Sequence, residues 1–150
     1  MKNKNTIIFR ISAAAICLLM LLCTVACSNS SKPGSDIKNE LWKSADYTDD
    51  ITFGNGEKTV HVKVVAMGQE VVLTLKTDKK TLGEALIEHG LIEGESGAYG
   101  LFVKVVNGIT ADYNSDGAYW GFFKNGELMN TGVDGTVFAD GEHYELVYIK

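Results

Sequence analysis

Arginine is almost missing from this chain: of 150 residues only Arg10 carries a guanidinium. Everything after it lacks the planar fork that grips phosphate or carboxylate through paired hydrogen bonds. Together with a formal charge of -5, this argues against nucleic acid as a partner. Proline occurs once, at Pro33, and cysteine only at Cys17, Cys23 and Cys27. A disulfide framework or a cysteine-based zinc site is thereby excluded from all that follows residue 27. The three histidines, His61, His89 and His143, have no metal-ligand spacing in sequence.

What is present begins with a basic start (Lys2, Lys4, Arg10), an uncharged stretch over residues 11–26 and an apolar run over 16–22. That stretch is short of the ~20 residues a membrane span needs and reads as an export signal. Cys23-Thr24-Val25-Ala26-Cys27 resembles a bacterial lipobox, with a small residue just before the cysteine that would be lipidated. An ordinary secretory signal with a chance Cys27 is the alternative. Residues 1–26 are therefore expected to be a lipoprotein signal peptide, Cys27 the lipidation site, and the membrane face outside the cytoplasm the location. The lipid bilayer is then one partner. Cleavage before Cys27 would leave 11 lysines against 19 acidic residues, a charge of -8. Residues 27–52 are read as a flexible tether, Ser-rich over 28–36, with Leu41 and Trp42 as a possible docked turn. Residues 53–150 are read as one domain.

Inside that domain the hydrophobic period is mostly two. Val60, Val62 and Val64 alternate with polar residues, Met67-Gly68 interrupts, and Val71, Leu73 and Leu75 resume, which predicts a hairpin. Thr81 with Glu84 forms a capping-box pattern, Leu82, Ala85 and Leu86 share a helical face, and Gly90 suits a left-handed stop. A helix over 82–89 follows, then a Gly-rich loop over 93–100. Strands are predicted over 101–106, 118–124 and 143–149, the first two ended by Asn107-Gly108 and Asn125-Gly126. The order ββαβββ predicts an α+β, β-grasp-like fold, a mixed or antiparallel sheet of about five strands with one crossing helix.

Tyr113, Tyr119, Trp120, Phe122 and Phe123 cluster within eleven residues. In a strand, Tyr119 and Phe123 share one face while Trp120 and Phe122 share the other, so one pair covers the core and the other faces solvent or a ligand. Gly121 between them is expected to leave a flat opening. Asp112-x-Asn114-x-Asp116-Gly117 reproduces the opening of a calcium loop, making Asp112, Asn114 and Asp116 candidate metal ligands. Its twelfth position is Phe123 rather than Glu, and a tight strand connection selects the same residues. Gly94-Glu95-Ser96-Gly97-Ala98 only half matches a nucleophile elbow, and no enzyme activity is expected.

Val105-Val106-Asn107-Gly108-Ile109, Ala111-Asp112-Tyr113-Asn114, Ala118-Tyr119-Trp120, Asn125-Gly126-Glu127, Thr131-Gly132 and Asp140-Gly141-Glu142 precede a final strand. From about Thr59 to Lys150 this series resembles the C-terminal β-domain of transcobalamin and intrinsic factor, and the bacterial lipoproteins that carry only that domain. The resemblance implies a domain that closes over one side of a corrinoid, with Tyr119, Trp120, Met129, Asn130, Thr131 and Gly132 approaching the ligand. A small-ligand or uptake-accessory module is the leading expectation. The alternative is a protein-interaction module that docks a transporter subunit or surface protein through exposed Trp120 or Phe122, or through a sheet edge.

Overall fold

The computed structural model describes residues 40–150. The signal peptide, Cys27 and the tether before residue 40 lie outside the described residues. The elements run β1 (Ile51–Gly54), β2 (Lys58–Ala66), β3 (Gln69–Thr77), α1 (Leu82–Glu88), β4 (Ile92–Gly97) and β5 (Gly100–Val106). They continue with β6 (Ile109–Thr110), α2 (Tyr113–Asp116), β7 (Tyr119–Lys124), β8 (Glu127–Leu128), a 3-10 turn (Val133–Gly135) and β9 (Glu142–Ile149). The fold is α+β and mostly strand. No helix among the described residues is long and apolar enough to cross a membrane.

The β2–β3 hairpin forms as its alternation requires: Ala66 pairs with Gln69, and Met67 and Gly68 take φ of 52° and 80°, the twist of a two-residue turn. Val60, Val62, Val64, Val71, Leu73 and Leu75 are buried on one face. Thr81 caps α1 with the full capping box. At the other end Leu91 N–H donates to Leu86 O at 2.9 Å and Gly90 N–H to Ile87 O at 3.0 Å, the paired bonds of a Schellman ending. Leu82, Ala85 and Leu86 seat the helix in the core.

Two sheets replace the single sheet of about five strands. One has six strands in the order β1-β3-β2-β9-β7-β8, and the other three in the order β4-β5-β6. The expected β-grasp-like ββαβββ sheet is corrected accordingly: this is not a clean five-stranded sheet. Part of the difference is β1, which pairs in parallel with β3. The larger part is the stretch read as a Gly-rich loop over 93–100. It is strand β4 plus the turn to β5. Only Ile92 of that strand is buried, so its residues carry no alternation to read. Its backbone pairs with β5, and Gly94 is required because a Cβ there would strike the Phe102 carbonyl.

The tether boundary at residue 52 also moves. Within the described part, residues 40–42 form a helical turn, and Trp42 is buried with its Nε1 donating to Ala66 O at 2.9 Å. Tyr47 is held by Asn107, whose Oδ1 accepts from Tyr47 N at 3.0 Å and whose Nδ2 donates to Tyr47 O at 2.8 Å. A segment with a buried indole and a two-point clamp belongs to the packed domain.

Candidate functional site

The site begins with the register of β7. Trp120 lies opposite Tyr148 and Phe122 opposite Leu146 on β9, so both rings point to the core face of the large sheet. They are 8% and 9% exposed. Tyr119, on the other face, is 39% exposed. Docking through exposed Trp120 or Phe122 is thus corrected. The flat opening expected at Gly121 is corrected too: Ile149 Cδ1 and Phe123 Cε2 each lie 2.7 Å from where a Cβ would stand, so these side chains cover it.

Asn125 and Gly126, with φ of 53° and 78°, turn β7 into β8. Met129 N–H still donates to Phe122 O at 2.9 Å. The chain then leaves the sheet and reaches the 3-10 turn. Asp134 fixes this loop against β5, its Oδ2 accepting from Leu101 N at 3.0 Å. Gly100 and Gly132 make room for that carboxylate, since a Cβ on either would lie 2.6 or 2.7 Å from its oxygens. Thr136 Oγ1 donates to Gly132 O at 2.8 Å and braces the loop from below.

Between the two walls lies a cleft of about 290 Å³. Leu101, Phe102 and Val103 form one side, with Trp120 and Phe122 on the floor and residues 128–133 on the other side. All six candidate ligand residues, Tyr119, Trp120, Met129, Asn130, Thr131 and Gly132, border it. Trp120 packs edge-on against Tyr148, with ring centroids 5.6 Å apart. Its Nε1–H is shielded from solvent and has no acceptor among the described residues. A buried donor without a partner is uncommon and costly.

The aspartate series takes a different form. Residues Tyr113–Asp116 form a short helix capped by Asp112, whose Oδ1 accepts from Asn114 N at 3.0 Å and Oδ2 from Ser115 Oγ at 2.6 Å. Those bonds, the Ser115 hydroxyl first, hold the Asp112 carboxyl below its ordinary pKa. Asp116 accepts from Ala118 N at 3.1 Å, Tyr148 OH at 3.1 Å and Lys150 Nζ at 3.2 Å, and its carboxyl is likewise lowered, chiefly by the Ala118 amide. Among the candidate calcium ligands Asp112, Asn114 and Asp116, the two carboxylates are engaged in turn and strand contacts, and Asn114 takes part through its backbone N–H. No group of three His, Cys, Asp or Glu side chains among the described residues is placed to hold a metal ion. The Gly94–Ala98 stretch lies in β4 and its turn, not at a strand-to-helix elbow.

Sequence reasoning missed two further arrangements. Lys124 Nζ meets Glu142 Oε1 at 2.7 Å, and the buried Tyr144 hydroxyl donates to Glu142 Oε2 at 2.5 Å. Lys124 first, then Tyr144, holds the Glu142 carboxyl below its ordinary value, while burial pushes the Tyr144 phenol up. Separately, His61 and His143 stand side by side with rings stacked at 4.4 Å. Their separation in sequence hides this, and only the parallel pairing of β2 with β9 brings them together.

Residues 79–149 match a family described as a domain of unknown function, DUF4430. Among solved structures, a Ruminococcus gnavus ATCC 29149 protein described as a candidate metal-binding protein is 41% identical, with a TM-score of 0.60. The match covers 63% of this chain and 98% of that one. Haptocorrin in complex with Cbi is 20% identical at a TM-score of 0.45, over 65% of this chain and 27% of that one. A likeness at that level says nothing of this chain's ligand. No curated protein matches the sequence. Identity of 41% over nearly the whole Ruminococcus chain places this protein in one family with it, and residues 79–149 of this chain carry the DUF4430 match.

Proposed function

We propose that this domain is a small-ligand-binding module, tethered outside the cytoplasm through a lipid on Cys27, that receives one edge of a flat ligand in the cleft beneath residues 128–133. The observation that carries the reading is the convergence of six candidate residues, Tyr119, Trp120 and Met129 to Gly132, on one cleft. The cleft has an apolar floor, with the amide of Asn130 and the hydroxyl of Thr131 at its border. Apolar walls with a few polar points are the usual make-up of a ligand site. At about 290 Å³ the cleft is at the small end of such sites, so it takes part of a large ligand rather than enclosing one. The sequence resemblance supplies the ligand class, a corrinoid. Metal binding is ascribed to the Ruminococcus relative, and a weak calcium site at Asp112, Asn114 and Asp116 is the alternative reading for this chain.

Titration of the protein with cobinamide and cyanocobalamin tests the reading. Expected are heat, a change in corrinoid absorbance and a rise in melting temperature, all reduced by Asn130→Ala and abolished by Met129→Asp. Absence of all three at high ligand concentration sinks the corrinoid proposal. A second reading, a protein-docking surface, is favoured by the exposed Phe102, Tyr119 and Leu128 around the mouth. It expects Phe102→Asp to abolish association with a transporter subunit while leaving corrinoid binding absent in both forms.

A further inference from the structure

The outer face of the large sheet carries an arrangement that the cleft does not use. His61 on β2 and His143 on β9 are direct partners in the parallel register, with rings 4.4 Å apart and 15° from parallel. The two strands are the middle pair of six, so the backbone beneath both rings is held on either side. His61 Nδ1 lies 2.9 Å from Thr74 Oγ1 on β3. With the proton on Nδ1 and donated to that hydroxyl, Nε2 presents a free lone pair. Fixing a metal-binding imidazole through its other nitrogen is the usual arrangement of such ligands. His143 stands exposed at the surface.

We propose that His61 and His143 form an open two-histidine site for a late divalent transition metal ion, copper or nickel ahead of zinc, with water completing the coordination. Imidazole nitrogen suits these ions, and the order is that of their general affinity for nitrogen ligands. An ion lies in the plane of each imidazole that binds it, so nearly parallel rings cannot share one ion as they stand. The stack must open. Exposed His143 is the ring that turns, while Thr74 keeps His61 in place. Calcium and magnesium are disfavoured by the donor set, because they take oxygen ligands. The carboxylate along the same face of β9, Glu145, is engaged with Lys63 Nζ at 3.1 Å. With two protein ligands most of the coordination sphere stays open, so the bound ion is exchangeable and accessible to a further ligand.

The test uses the protein with any free thiol alkylated, so that thiols do not compete. Copper(II) or nickel(II) is titrated in a non-coordinating buffer and followed by calorimetry, with electron paramagnetic resonance for copper. Expected are one ion per chain, a nitrogen splitting pattern from two imidazoles, and a loss of affinity of about tenfold or more in His61→Ala and in His143→Ala. His89→Ala is expected to bind as the parent does. Unchanged binding in the double variant His61→Ala/His143→Ala, or no uptake at millimolar ion, overturns the site. Should a variant fail to fold, paramagnetic broadening of histidine ring signals in the parent chain decides the matter. Broadening centred on His61 and His143 supports the site, and broadening centred elsewhere overturns it.

Discussion

Asn107 serves a turn and a clamp at once. Its φ of 51° and the Gly108 that follows are what an Asn-Gly connection between β5 and β6 requires, and the dipeptide made that legible. The clamp on Tyr47 was not legible, since its partner lies 60 residues away. Asn107→Ala should lose both hydrogen bonds and strain the backbone, destabilising by about 2–4 kcal/mol in chemical denaturation. Asn107→Gly keeps the turn geometry and loses only the clamp, so the difference between the two variants isolates the strain. Glu142 gives a pH signature. Its folded pKa lies below the ordinary glutamate value of 4.5, so its contribution is present above that value and drains away as pH falls through the lowered one. Glu142→Gln should therefore flatten the acid limb of a melting-temperature profile below about pH 4.5. Asp112, Asn114 and Asp116 have the spacing of a calcium loop, and Asp112 makes the hydrogen bonds of a helix cap, as a tight strand connection would also select.

Among the elements, the hairpin and α1 were legible because their signals are local: alternation, a capping box and a glycine stop. β4 was not, because an edge strand wetted over most of its length is held by backbone pairing that side chains do not announce. The alternation of β7 correctly paired Trp120 with Phe122. Which pair turns inward depends on β5 and the 3-10 turn lying over that face, and period alone is silent on it. The contact between α1 and the 3-10 turn is tight: a Cβ at Gly83 would lie 2.7 Å from Asp134 Cα, backbone that cannot step aside. Gly83→Ala should thus separate helix from turn at a cost of about 1–3 kcal/mol by denaturant unfolding. Because Asp134 also anchors the cleft wall, the same variant should weaken the proposed corrinoid binding without altering a residue of the candidate site.

For the molecule as a whole, the boundary of the domain was the feature least visible in composition. Residues 40–50 look like linker, yet Trp42 joins the core beneath β2 and Leu41 packs against it. Trp42→Ala should cost about 3–5 kcal/mol, and a chain begun at residue 53 should melt well below one begun at residue 40. The candidate ligand residues were legible as a group only through the resemblance, because a loop and a strand meet at the cleft by way of Asp134 and not through any shared period. The parallel pairing of β2 with β9 bears on assembly. The β2–β3 and β7–β8 hairpins each close locally, but neither touches the other, and the strand that joins them, Glu142–Ile149, is the last one made. Until those eight residues are available the sheet is two unconnected halves. A chain emerging from synthesis can therefore close its two hairpins early but cannot join them into one sheet until β9 is available.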